Sequence, residues 1–471
     1  MRENVERELK LVPGEGFRLP ELGQPLPVRA FVSTYHDTLD LRLARHGVTF
    51  RHRLEHGAGL WQLKLPRGAA RIELESPGPP AKPPQEMLEL LAAYLRGTEL
   101  VRVARLRTRR QSIRADGAEV VDDAVSVLDG QRVTARFREL EVELLDGDEE
   151  ALRRLEQALR EAGAEPGVFK PKLYRVLDLT YPPEEHELEP GTPPPEVLRV
   201  ALAEQYRKLM EHDPGTRLGS DPEDLHQMRV ATRRARAFLR AARPLLDEEW
   251  AEELRAELGW LGSALGPARD LDVLLEHVRS EVDELGDEGR PLAGLVASLE
   301  DEHEQARAAA VAALDDERYF ALLDRLENAE PKLAADADES LTGLWWDEFR
   351  RTRRRFEKLD SKSSDEDLHA ARIRAKRARY AAELASHELG RPGERFLKAA
   401  REVQDVLGEH QDAAVAEDRI VAWSEARPTR AEAAQLLLDR ERERRKEARD
   451  DWPRAWQKLA RCARKAKPKS S

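Results

Sequence analysis

Val5-Glu6-Arg7-Glu8-Leu9-Lys10 sets two carboxylates and an ammonium at alternate positions of a short run. Alternate residues of a β-strand share a face, so Glu6, Glu8 and Lys10 point one way while Val5, Arg7, Leu9 and Leu11 point the other. By itself such a run also suits a solvated strand face. Recurrence downstream changes the reading. Arg51 and Arg53 share a face, as do Gln62 and Lys64, then Arg71, Glu73 and Glu75, then Arg105, Arg107 and Arg109. Finally, Glu139-Leu140-Glu141-Val142-Glu143-Leu144 places three carboxylates on one face and aliphatics on the other.

These runs belong to eight predicted strands: Val5–Val12, Val28–Tyr35, Val48–Glu55, Leu60–Leu65, Arg71–Glu75, Leu106–Ile113, Glu119–Val127 and Thr134–Leu145. Two helices interrupt them, over Gln85–Arg96 and Asp148–Gly163, the second with an acidic first turn suited to the helix dipole. Eight strands suffice for a small closed antiparallel barrel. If helices cover its aliphatic outer faces, the charges must turn inward, where they need partners or a ligand. Acids at one end and Arg or Lys elsewhere suit divalent metal ions together with a polyanion.

The 471-residue length allows two or three domains. The formal charge is −12, yet 79 Lys and Arg are present, so local basic surfaces matter more than the average. The single cysteine, Cys462, excludes an intrachain disulfide. No apolar run reaches the roughly 18 residues of a membrane span, and the N-terminus is charged from Arg2 onward. A soluble cytoplasmic protein is therefore expected. Cysteine-rich zinc motifs and the glycine-rich nucleotide loops are absent.

Residues 182–195 are dense in proline and acid, which predicts a semi-rigid linker between a domain at 1–181 and another at 196–471. Beyond it the period becomes helical, and a segment repeats. Asp224-Leu225-His226-Gln227-Met228-Arg229-Val230-Ala231-Thr232-Arg233-Arg234-Ala235-Arg236 recurs as Asp367-Leu368-His369-Ala370-Ala371-Arg372-Ile373-Arg374-Ala375-Lys376-Arg377-Ala378-Arg379, with seven of thirteen positions identical. Leu265-Gly266 and Asp270 likewise recur as Leu407-Gly408 and Asp412. Two motifs repeated in fixed order predict a duplicated helical bundle.

His226, Arg229, Arg233, Arg236 and Arg240 form one helical stripe, matched by His369, Arg372, Lys376 and Arg379. No acid lies between His226 and Leu246, or between His369 and Ala382. Ordinary solvated faces mix signs, so a cationic groove is expected if the two helices face each other. A basic face with acids supplied by neighbouring helices is the alternative. Neither histidine has ligand-spaced partners for zinc.

Glu6-x-Glu8-x-Lys10, Tyr35-His36-Asp37-Thr38, the run from Leu41 to Arg53, Lys64, Glu139 to Glu143 and Lys172 make residues 3–180 resemble the CYTH, or triphosphate tunnel metalloenzyme, family. His36 and Pro171 depart from the residues usual there. The duplicated segment, residues 196–465, resembles the CHAD family. Together these resemblances imply an α+β multidomain protein, with an N-terminal antiparallel β-barrel tunnel and a C-terminal all-α duplicated bundle.

They also imply metal-dependent hydrolysis of inorganic triphosphate or a related linear triphosphate, with Glu6, Glu8 and Lys10 at the catalytic centre. Glu6, Glu8, Asp122, Glu139, Glu141 and Glu143 would hold Mg²⁺ or Mn²⁺. Arg51, Arg53, Lys64, Arg107, Arg109 and Lys172 would bind phosphate oxygens. Inorganic polyphosphate would bind the helical domain through His226, Arg229, Arg233, Arg234, Arg236, His369, Arg372, Lys376, Arg377 and Arg379, which adds association with polyphosphate granules to the expectations. A non-catalytic polyphosphate-binding protein is the main rival. Adenylate cyclisation and thiamine triphosphate hydrolysis would use the same metal site. Nucleic-acid binding ranks lower because few aromatics interleave with the basic residues.

Overall fold

The computed structural model describes all residues except 69, 168–169, 181–187, 335–339 and 469–471, together with the side chains of residues 2–6. Part of the predicted linker therefore lies outside the described residues. The chain divides into two compact units, residues 1–185 and 186–471.

The first unit contains β1 (Arg2–Glu6), β2 (Glu8–Pro13), β3 (Gln24–Pro25), β4 (Arg29–Asp37), α1 (Arg42–Arg45), β5 (Thr49–Glu55), β6 (Ala58–Arg67) and β7 (Ala70–Pro77). It continues with α2 (Gln85–Leu90), α3 (Ala92–Leu95), β8 (Val101–Ala115), β9 (Ala118–Asp129), β10 (Arg132–Leu144), α4 (Glu149–Glu161), β11 (Ala164–Pro166) and α5 (Lys172–Leu177). All pairings are antiparallel, in the order β1-β7-β6-β5-β4-β8-β9-β10-β2-β11, with β3 beside β8. The N-terminal run is thus split at Arg7: its first half pairs with β7 and its second with β10. Arg7 keeps its carbonyl bonded to the Leu144 amide at 2.9 Å.

Strand alternation separates the two faces. Ala118, Val120, Leu140 and Val142 pack with Leu155 and Leu159 of α4. The intervening Glu119, Val121, Asp123, Glu139, Glu141 and Glu143 take the opposite face. Asp148 caps α4 by accepting from the Ala151 amide at 2.8 Å, as its acidic opening predicts. Phe50 and Trp61 stack with centroids 4.9 Å apart and are wholly buried, each side chain contributing about 2–3 kcal/mol of burial.

The second unit is helical: α6 (Pro194–Leu218), α7 (Pro222–Ala241), α8 (Glu248–Leu285), α9 (Ala293–Leu314), α10 (Glu317–Glu327), α11 (Leu341–Phe356), α12 (Asp365–Leu384), α13 (Ser386–Glu425) and α14 (Ala431–Ala466). Consecutive helices pack within α6–α9 and again within α11–α14, and the two runs touch through α7 and α12. The repeated segments are therefore the facing helices. Asp221 caps α7, while Ser364 and Asp367 form a capping box on α12. Leu274, Leu275 and Val278 of α8 join Ile420 and Trp423 of α13 and Leu437 of α14 in a buried core.

Candidate functional site

Register builds the site of the first unit. Glu141 lies directly opposite Lys10, and Glu143 opposite Glu8, so the Glu8-x-Lys10 pattern of β2 meets the Glu141-x-Glu143 pattern of β10 on one face. Carboxylate oxygens of Glu8, Glu141 and Glu143 all lie within 4.8 Å of one another. Lys10 reaches Glu141 at 2.5 Å and also bonds Glu139. Lys172, the first residue of α5, stands 2.8 Å from Glu141 and 3.1 Å from Asp123. Arg110 grips Asp123 with two bonds of 2.9 and 2.8 Å and comes within 3.5 Å of both Glu141 and Glu143.

Neutralisation within this group is uneven. Burial would raise the Glu141 carboxyl, but Lys10, Lys172 and Arg110 hold it well below the usual carboxylate range. Burial raises Glu139. Glu143 is pushed up to about 7 by burial, against the pull of Arg110, with Glu141 adding to the rise.

Across the same polar cavity, of about 160 Å³, stand Arg29, Arg51, Arg53, Lys64 and Arg71. Each arginine is oriented. Arg51 donates to Gln62 at 2.9 Å and to the Tyr35 hydroxyl at 3.1 Å. Arg29 and Arg53 converge on Glu55, at 2.7 and 2.6 Å, and hold its carboxyl at about 2. Arg71 donates to the Gly47 carbonyl at 2.9 Å. Gln62 bridges Glu73 and Glu75, at 3.0 and 2.7 Å.

In the helical unit, Arg233 of α7 donates to the Tyr380 hydroxyl of α12 at 2.9 Å. Lys376 lies among Arg372, Arg233 and Arg379, and burial together with these cations lowers its ammonium to about 7. His226 Nδ1 accepts from Arg269 at 3.0 Å, whereas His369 Nδ1 meets the Gln411 amide oxygen at 2.7 Å. Arg229 is 3.1 Å from Asp270. Arg234 and Arg379 both reach Glu383, each at 3.3 Å.

Residues 4–174 match the family model described as CYTH domain, and residues 200–421 the one described as CHAD domain. Proteins described as uncharacterized from two strains of Mycobacterium tuberculosis are 31% identical over 485 residues, spanning 94% of this chain and 92% of their own length. The chain belongs to the CYTH–CHAD family. A CHAD domain from the plant Ricinus communis is similar at 25% identity and a TM-score of 0.49, covering 59% of this chain and 95% of its own. PptA from Streptomyces chartreusis is similar at 22% identity and a TM-score of 0.48, covering 56% and 100%.

The CYTH domain brings together Glu8, Lys10, Arg51, Arg53, Lys64, Glu141, Glu143 and Lys172 of the residues expected from sequence. The Glu6 side chain lies outside the described residues. Glu139 is buried against Lys10 rather than in the three-carboxylate cluster. Three placements correct the expectation. Arg107 and Arg109 are exposed on the opposite face of β8, because alternation through Thr108 turns Arg110 toward the cavity instead. Asp122 faces away from Asp123 and pairs with Arg138, whose Nε is 2.7 Å from its carboxylate.

Arg29, Arg110 and Asp123 were not singled out from sequence; the signal that finds the last two is the parity of Leu106-Arg107-Thr108-Arg109-Arg110 and of Asp122-Asp123. Asp37 and Thr38 of the CYTH motif are structural. The Asp37 carboxylate accepts from the amides of Thr38, Leu43 and Ala44 at 2.7, 2.9 and 3.0 Å, fixing α1.

In the CHAD domain, Arg233, Arg372, Lys376 and Arg379 form one electrostatic group. Arg377 is separate, grouped with Arg240, Arg374 and Arg255 beside Glu348. Arg236 is exposed and lies over Gly259. Among the described residues, no helix is long and apolar enough to cross a membrane.

Proposed function

We propose that the CYTH domain hydrolyses inorganic triphosphate, or a related linear triphosphate, with Mg²⁺ or Mn²⁺, and that the CHAD domain binds inorganic polyphosphate. One observation carries this reading: three clustered carboxylates face several oriented cations across a single polar cavity. Glu8, Glu141 and Glu143 are hard oxygen donors that suit either ion, and their oxygens lie close enough together to share one. Glu6 joins this set from the sequence pattern alone. When bound, the ion would neutralise phosphate charge and acidify a water molecule.

Phosphoryl transfer depends mainly on positioning and charge neutralisation. Arg51 and Arg53 are pre-set by Gln62, Tyr35 and Glu55 to donate to phosphate oxygens. Lys64, 3.5 Å from Glu73, adds a cation on the same wall. Lys10 and Lys172 fix Glu141 in its ionised form. The N-terminal run from residue 2 to 13 pairs with both β7 and β10, which supports the reading of a tunnel around this cavity. In the CHAD domain, Arg233, Arg372, Lys376 and Arg379 are stacked like charges that an anion would relieve.

A non-catalytic, polyphosphate-holding CYTH domain has one observation in its favour: Lys10 and Lys172 already neutralise Glu141. Phosphate release from tripolyphosphate, assayed with each ion and with a chelator, separates the readings. Ion-dependent release supports hydrolysis. Tripolyphosphate binding with no release under any condition supports holding.

A further inference from the structure

At one end of the CHAD domain, Arg395 of α13 and Lys458, Arg461, Arg464 and Lys465 of α14 line a cavity of about 440 Å³ with Pro392 and Cys462. No carboxylate and no aromatic ring is among these lining residues. The cavity adjoins a break in α13, where Gly390 adopts φ 52° and ψ −151° and Pro392 and Gly393 restart the helix. Arg395 projects from the restarted turn toward α14.

Charge pairing changes along α14. Arg440 pairs with Glu281, Arg442 with Glu417, Arg444 with Glu409, Arg445 with both Asp365 and Glu417, and Arg449 with Asp365. Farther on, Lys458 still pairs with Glu402, and Arg464 lies 3.4 Å from the Ala460 carbonyl. Among the described residues, Arg395, Arg461 and Lys465 have no ion-pair partner. Lys458, Arg461 and Lys465 advance by three and four, so they share one helix face over about 10 Å. Arg461 and Lys465, four residues apart on that face and without a carboxylate partner, are like charges whose repulsion an anion lying across them would relieve. A single phosphate cannot span that distance.

We infer that this cavity binds a linear oligophosphate of three or more phosphates, as a second anion site apart from the α7–α12 group. The ligand class rests on the function proposed above. Its lack of aromatic lining leaves no platform for stacked bases, which favours a phosphoanhydride chain over a nucleic acid.

Cys462, the chain's single cysteine and half-buried here, serves as a reporter. Labelling of the full chain by uncharged N-ethylmaleimide, followed by mass spectrometry, measures occupancy without reference to turnover. Tripolyphosphate at ten times its dissociation constant should slow labelling by about tenfold. The same protection should persist in Arg372→Ala/Lys376→Ala and vanish in Arg461→Ala/Lys465→Ala, whose changes are at exposed positions. Unchanged labelling of the native chain would overturn the inference. So would protection lost in the first variant but kept in the second, or equal protection by a phosphate-matched single-stranded oligonucleotide. Protection without turnover would retain this site while removing the hydrolytic reading.

Discussion

Gly266 passes so close to Arg229 that a β-carbon on it would stand 2.6 Å from the arginine Nη1. Gly408 bears the same relation to Arg372, at 3.2 Å from Nη2. Asp270 holds Arg229 at 3.1 Å, and Asp412 is the acid that most offsets the burial of Arg372. The duplicated Leu-Gly-x-x-x-Asp sequence thus has a physical meaning. Its glycine makes room for an arginine from the preceding helix, and its aspartate holds the charge.

Gly266→Ala should therefore separate stability from binding. The guanidinium can swing away, and alanine favours a helix interior by about 1 kcal/mol over glycine. Thermal unfolding should not fall, while polyphosphate affinity should drop by about three- to tenfold, the effect of weakening one charge-assisted contact. Calorimetric titration beside a melting curve checks both.

Binding of polyphosphate should take up a proton near neutral pH. Lys376 is lowered to about 7 by burial and by Arg372, Arg233 and Arg379, and a polyanion favours its charged form. Affinity should fall as pH rises above 7. Titrations in buffers of different ionisation enthalpy should record the uptake, and Lys376→Met should remove it. Stability has the opposite sign. Between pH 7 and the ordinary lysine value of 10.5, the unfolded chain binds a proton that the folded chain lacks, so Lys376 makes stability increase with pH across that window.

Arg110 and its neighbours on β8 offer a test of strand parity. Arg110→Ala leaves the fully buried Asp123 without its bidentate partner and should destabilise the CYTH domain by about 3–5 kcal/mol. Arg107→Ala and Arg109→Ala, at exposed positions, should each change stability by less than about 0.5 kcal/mol. Denaturant unfolding of the three variants checks the contrast.

The eight predicted strands are all present because each alternates strongly enough for its period to be read. Repetition likewise singled out α7 and α12 as a pair, and their packing against each other is what the structure adds. Parity was less legible in β8 and β9. Arg105, Arg107, Arg109, Arg110 and Arg114 occupy both faces of one strand, and Asp122 and Asp123 are adjacent, so composition gives no preferred inner face. Only pairing decides: Arg110 is opposite Asp123 and Arg29, while Asp122 is opposite Leu140. The split of the N-terminal run at Arg7 was hidden for a related reason. Alternation through that residue continues in sequence even though its two halves pair with different strands. Short β3, β11 and α5 have too few residues to display a period.

Glu55 should act on phosphate binding through the arginines it orients. Glu55→Gln weakens the charged hold on Arg29 and Arg53, so the KM for tripolyphosphate should rise by about three- to tenfold with a smaller change in kcat. Steady-state kinetics across substrate concentration checks the split.

The central claim is that the Glu8–Glu141–Glu143 cluster supports hydrolysis. Its most direct test is phosphate release from tripolyphosphate at saturating Mg²⁺ or Mn²⁺ by three proteins: the native chain, Glu8→Gln/Glu143→Gln, and Arg372→Ala/Lys376→Ala. Release should be ion-dependent in the native chain, fall by at least about a hundredfold in the carboxylate variant, and persist in the CHAD variant. Equal release by the native chain and a correctly folded carboxylate variant would contradict the claim.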